Sequence, residues 1–131
     1  MLCYELNNKI IKLAPKYTVS DHAPDTFERL VRSSNSGLVV WAGASDNTIY
    51  GDASVNHAFR AWHDSLHLKL NSDFTLQGEL VVAMEQARII GGQYADIIMA
   101  EIKGQAEYLT KHGQFPTNQL EFMRNYLKGV I

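Results

Sequence analysis

The sequence predicts a mostly helical α+β fold, with a small antiparallel β-hairpin packed on a helix cluster. Three observations carry this expectation. Two short runs of β-branched and aromatic residues lie close together before the middle of the chain, long stretches of 3.6-residue apolar periodicity follow them, and clusters of Gly, Pro, Ser and Asn separate the segments. A hairpin kept apart from a run of helices is the α+β signature.

Taken in order, the opening stretch from Tyr4 to Leu13 has apolar residues at mixed spacing and stops before Pro15, which fits a short helix or an edge strand, with the balance toward helix. Pro24 stands where a first-turn proline is tolerated, and Phe27, Leu30 and Val31 then recur at helical spacing until Ser33-Ser34-Asn35-Ser36-Gly37 breaks the pattern. Leu38-Val39-Val40-Trp41 and Thr48-Ile49-Tyr50 flank the turn-forming run Gly43-Ala44-Ser45-Asp46-Asn47 and read as the hairpin. A helix from near Ser54 through His67 has Asp52 or Ser54 as its N-cap. The span Leu76 to Ile90 is clearly helical, Gly91-Gly92 interrupts it, and a second pattern runs from Tyr94 to Leu109, as two helices or one kinked helix. Gly113 and Pro116 close that segment, and Thr117 can cap a last helix striped by Leu120, Met123, Tyr126 and Leu127.

The 131 residues, 46% of them hydrophobic, suffice for a single domain over 1–131 with its own core. One cysteine, Cys3, allows no intrachain disulfide, which fits the reducing cytoplasm. No apolar run reaches the roughly 20 residues of a membrane span, and Glu5, Lys9 and Lys12 interrupt the N-terminus where an export signal would stay apolar. A formal net charge of -2 lacks the positive excess that a nucleic-acid backbone attracts. The expected partners are therefore a small-molecule or peptide substrate, and a second copy of the chain in a homo-oligomer.

Chemistry concentrates in Asn56-His57-Ala58-Phe59-Arg60-Ala61-Trp62-His63-Asp64-Ser65-Leu66-His67, which holds three of the five histidines. At about 100° per residue, Asn56, Arg60, His63 and His67 share a polar stripe beside the apolar Phe59, Trp62 and Leu66. Histidines four apart sit on consecutive turns, so both imidazoles can face one ion and supply two of the four ligands zinc usually takes. Downstream, Glu79 falls on the face of Leu76, Val82, Ala83 and Ile90, and Glu101 falls among Tyr94, Ile97, Ile98 and Tyr108. A buried carboxylate needs a cation, a metal, a hydrogen-bond donor or a proton.

The segment His63-Asp64-Ser65-Leu66-His67 resembles the His-Glu-x-x-His signature of the zincin metallopeptidases, over five residues and with aspartate in the glutamate position. The resemblance implies zinc or another divalent metal held by His63 and His67, with Asp64 as the general base acting on the metal-bound water. Glu79 is then the first choice of third ligand and Glu101 the second, with Glu101 also available to position water. Aspartate is one methylene shorter than the family's glutamate, which bears on peptidase activity before it bears on metal binding.

Two other readings stand beside a zinc-dependent, peptidase-like hydrolase. In one, the histidines and buried carboxylates are structural groups of a non-catalytic helical interaction module, or form a metal-free acid/base site. In the other, the adjacent His63-Asp64 with Asp96 belongs to a His-Asp phosphohydrolase, against which the hairpin counts. Arg60 either neutralises Glu79 or Glu101 or binds a substrate carboxylate or phosphate. His57, about 120° from His63, is expected at the surface, and His22 in a turn able to fold over the site. Asp46, Asn47 and Asp52 are turn residues able to meet a cation.

Overall fold

A computed structural model describes residues 3–43, 45, 48–116 and 118–128. The order is α1 (Tyr4–Leu13), β1 (Tyr17–Ser20), α2 (Phe27–Ser33), β2 (Leu38–Trp41), α3 (Ala53–Leu70), α4 (Leu76–Ile90), α5 (Ala95–His112) and α6 (Gln119–Leu127). Single 3-10 turns at Ser34–Ser36 and Gly92–Tyr94 lead into β2 and α5. The fold is mostly helical with a small sheet, as the periodicity predicts.

The sheet itself corrects the expected hairpin. β1 and β2 run parallel, with Tyr17 opposite Leu38 and Ser20 opposite Trp41. A parallel pair needs a crossover to bring the chain back to the starting end of the sheet, and α2 is that crossover. Thr48-Ile49-Tyr50 is turn rather than strand, and all three residues are buried. Their apolar and β-branched character serves the core, and the carbonyl of Tyr50 accepts a hydrogen bond from Asn7 Nδ2 at 2.9 Å. Of the turn between the two expected strands, Ala44, Asp46 and Asn47 lie outside the described residues, and with them the cation contact considered there.

Four of the helices, α2, α3, α4 and α6, start on a side-chain cap. Thr26 caps α2, which begins three residues after Pro24 rather than upon it. Asp52 caps α3 by accepting from the backbone N–H of Ser54, and Thr75 caps α4 by accepting from that of Gly78. Thr117 lies outside the described residues, and the cap of α6 is Asn118, which accepts from the backbone N–H of Glu121. Such caps contribute about 1 kcal/mol each. Gly91 and Gly92, with φ of 63° and 58°, separate α4 from α5 as two helices, because the left-handed backbone there suits a residue without a Cβ.

One apolar cluster joins the elements. Ile10 of α1, Phe59 and Trp62 of α3, Val82 of α4, Ile98 of α5 and Met123 of α6 all belong to it. Burial of each such side chain stabilises the fold by roughly 1.5–3 kcal/mol. α4 packs against both α3 and α5, so the polar stripe of α3 meets the carboxylate face of α4. No helix among the described residues is long and apolar enough to cross a membrane.

Candidate metal centre

The centre is assembled where α3 turns back into α4. Asn71 ends α3 in the left-handed conformation at φ 50°, and the N–H of Ser72 returns to the carbonyl of His67 at 3.0 Å. This tight reversal places the Ser72 carbonyl 2.7 Å from His67 Nδ1. The hydroxyl of Ser72 donates to the carbonyl of Gly78 at 2.8 Å, which ties the turn to the first turn of α4 and brings Glu79 over the two histidines.

Three side-chain atoms converge there. Glu79 Oε2 lies 2.8 Å from His63 Nε2 and 3.1 Å from His67 Nε2, and the two Nε2 atoms are 3.0 Å apart. The outward ring nitrogens are already engaged: His67 Nδ1 with the Ser72 carbonyl at 2.7 Å, and His63 Nδ1 with Gln86 Oε1 at 2.6 Å. Both of those oxygens accept, so each neutral ring keeps its proton on Nδ1 and turns a lone pair inward. Two imidazole lone pairs and a carboxylate oxygen then face one another, an arrangement that calls for a cation: protons on the rings, or a metal ion. The triangle is small enough for one ion to reach all three atoms at the roughly 2.1 Å that zinc prefers.

The local environment sorts the three residues by access. His67 is fully buried and wedged edge-on against Phe74, with ring centroids 4.8 Å apart, while the side chains of His63 and Glu79 keep 16% and 20% of their exposure. His63 is stacked on Phe59 at 6.1 Å between centroids. Burial disfavours the charged imidazolium of His63, but the hydrogen bond and charge of Glu79 outweigh it and carry the ring up to about 8. Burial likewise opposes ionisation of Glu79, and the two histidines overcome it and hold the carboxyl down at about 2.

His63, Asp64 and Glu79 line a cleft of about 1050 Å³ that extends to Glu101 and is bordered by Phe74 and Phe115. Asp64 is half-buried, and burial together with the charge of Glu79 pushes its carboxyl up to about 6 against the pull of the histidines and Arg60. Glu101 is buried as expected, but it stands apart from the three converging atoms. Its Oε1 accepts from Gln105 at 2.6 Å, its Oε2 has no partner, and burial raises the carboxyl to about 7. Of the two carboxylates weighed as third ligand, Glu79 is the one that joins the histidines.

The remaining sequence candidates separate cleanly. Arg60 donates to the carbonyls of Trp41 and Gly43 and lies over the Trp41 ring, 5.2 Å from its centroid, while also lining the cleft. Asp96 is exposed and outside the cleft, away from His63-Asp64. His57 is half-buried rather than at the surface, because its Nε2 reaches the carbonyl of Ala42 at 3.2 Å. His22 does line the cleft, whereas Asp52 spends its carboxylate on capping α3. The partners absent from the sequence reading are Ser72, Gly78 and Gln86. Only Gln86 left a legible trace, as a polar residue on the Val82–Ile90 apolar face. Comparison with known proteins finds no matching family model, curated protein or solved structure, so the geometry of the centre alone carries the functional reading.

Proposed function

We propose that this protein is a metal-dependent hydrolase whose His63, His67 and Glu79 hold zinc or a similar divalent ion. The observation that carries the reading is the convergence of three lone-pair-bearing atoms within 3.1 Å of one another while both Nδ1 positions are engaged by carbonyl oxygens. Ligating histidines commonly donate their second ring N–H to such oxygens, which fixes ring orientation and raises ligand basicity. Three protein ligands with one open side match catalytic rather than structural zinc.

Zinc held there would supply Lewis-acid polarisation and a nucleophile at neutral pH. The chain's own part is positioning. Asp64, next to His63 on the cleft wall, is the candidate general base, in keeping with the zincin-like order of His63-Asp64-Ser65-Leu66-His67. Arg60 and Glu101 farther along the cleft are the candidate contacts for substrate. The cleft volume of about 1050 Å³ suits a short peptide or a small molecule of comparable size. A reducing cytoplasm suits the lone Cys3.

The test is elemental analysis of protein purified without chelator or affinity metal, beside the His63→Ala/His67→Ala variant. About one transition ion per chain in the parent and none in the variant is the expected result. With the ion established, Asp64→Asn keeps it and loses hydrolysis in a screen of peptide and ester substrates. No ion, even after incubation with zinc, would leave the histidines as structural groups of a helical interaction module.

A further inference from the structure

We propose that Gln86 is a positioning residue, whose side-chain amide fixes the tautomer of His63 and so frees its Nε2 for an ion. The inference rests on the metal-centre reading and deepens it. Gln86 is fully buried on the α4 face that carries Val82, Ala83 and Ile90, where an apolar side chain would pack without stranding a polar group. Its Nε2 has no hydrogen-bond partner. A buried amide that leaves its own N–H groups unpaired is costly, so its retention needs a reason outside packing. Among the described residues, its side chain makes one hydrogen bond, Oε1 to His63 Nδ1 at 2.6 Å.

That contact sets what the other side of the ring can do. With Oε1 toward His63, the ring proton sits on Nδ1, and the Nε2 lone pair faces His67 Nε2 at 3.0 Å and Glu79 Oε2 at 2.8 Å. Turned over, the amide would present Nε2 to the ring, move the proton to His63 Nε2 and fill the space among the three ligand atoms with hydrogen. In the centre, an ion at His63 Nε2, or a second proton that makes the ring an imidazolium facing Glu79, keeps the first orientation, and only a neutral ring protonated at Nε2 takes the second. His67 has no such choice, because its Nδ1 faces the Ser72 backbone carbonyl, which only accepts. Gln86 Oε1 is therefore the acceptor that His63 needs at Nδ1 in order to ligate through Nε2.

The experiment measures zinc affinity, by competition with a chelator, for the parent chain, Gln86→Met and Gln86→Glu. Methionine fills similar space without an accepting oxygen, and glutamate keeps an acceptor in either orientation. Gln86→Met weakens binding by about 10–100-fold, and Gln86→Glu binds at least as tightly as the parent. In the zinc-loaded parent, nitrogen-resolved NMR shows His63 protonated at Nδ1 in a strong hydrogen bond, and that proton signal moves or vanishes in Gln86→Met. Equal affinities in all three proteins, or a Gln86→Glu as weak as Gln86→Met, would overturn the role. So would a Gln86→Met whose metal-free form loses stability in step with its affinity, since that assigns Gln86 to packing. A parent that binds no zinc overturns the metal centre itself, and the Gln86 role with it.

Discussion

Glu79 Oε2 lies 3.1 Å from Nε2 of the fully buried His67, across the turn between α3 and α4 and twelve residues away in sequence. A carboxylate held at that depth is stabilised by what it faces, and it faces imidazole on both sides. Binding of a cation at this point would therefore couple directly to the packing of α3 on α4.

Zinc is expected to raise the thermal stability of the folded chain. At free zinc a thousandfold above the dissociation constant, linkage contributes about 4 kcal/mol. Differential scanning calorimetry with zinc and with chelator checks this, and Glu79→Gln should show only a small part of the increase. An equal zinc response in Glu79→Gln would remove Glu79 from the ligand set.

Glu101 predicts a pH dependence of stability separate from the metal centre. Burial raises its carboxyl in the folded state to about 7, above the ordinary 4.5 of the unfolded chain. The folded state then binds the extra proton, so this contribution is fully present below about pH 4.5 and is lost as the pH rises through about 7. The size is on the order of 3 kcal/mol. Urea unfolding at pH 5 and pH 8 is the measurement. Glu101→Gln should flatten the slope and be the more stable protein at pH 8; an unchanged slope would mean that Glu101 ionises freely in the fold.

Gly78 predicts a steric coupling between the turn and the centre. A Cβ at this position would collide with the carbonyl oxygen and Oδ1 of Asp73. Ser72, whose carbonyl orients His67, is hydrogen-bonded to the carbonyl of Gly78, and Glu79 is the next residue. Gly78→Ala should therefore cost about 1–3 kcal/mol in urea unfolding and weaken zinc binding at the same time. Full stability with full affinity would show that the turn yields without disturbing the ligands.

Much of the helical part of the molecule was legible because helix signals are local. Leu76 and Ile90 bound α4 where periodicity and the glycine pair place its ends, and Asp52, one of the two caps the sequence offers, caps α3. His63 and His67 share a face through the pitch of a single helix, and Glu79 stood out as a carboxylate on an apolar face. Those inferences need no knowledge of distant neighbours.

Strand pairing and the outer hydrogen bonds of the centre are different in kind. Leu38–Trp41 has the same residues whether its partner is Thr48–Tyr50 or Tyr17–Ser20, and only the path of α2 across the sheet made the pairing parallel. Ser72 and Gln86 meet the histidines because a left-handed Asn71 reverses the chain and α4 then lies along α3. The sequence by itself determined which residues could share a helix face and which carboxylates had to find a partner. The tertiary structure decided which partners they found, because that choice depends on contacts between separate elements, and local periodicity does not encode them.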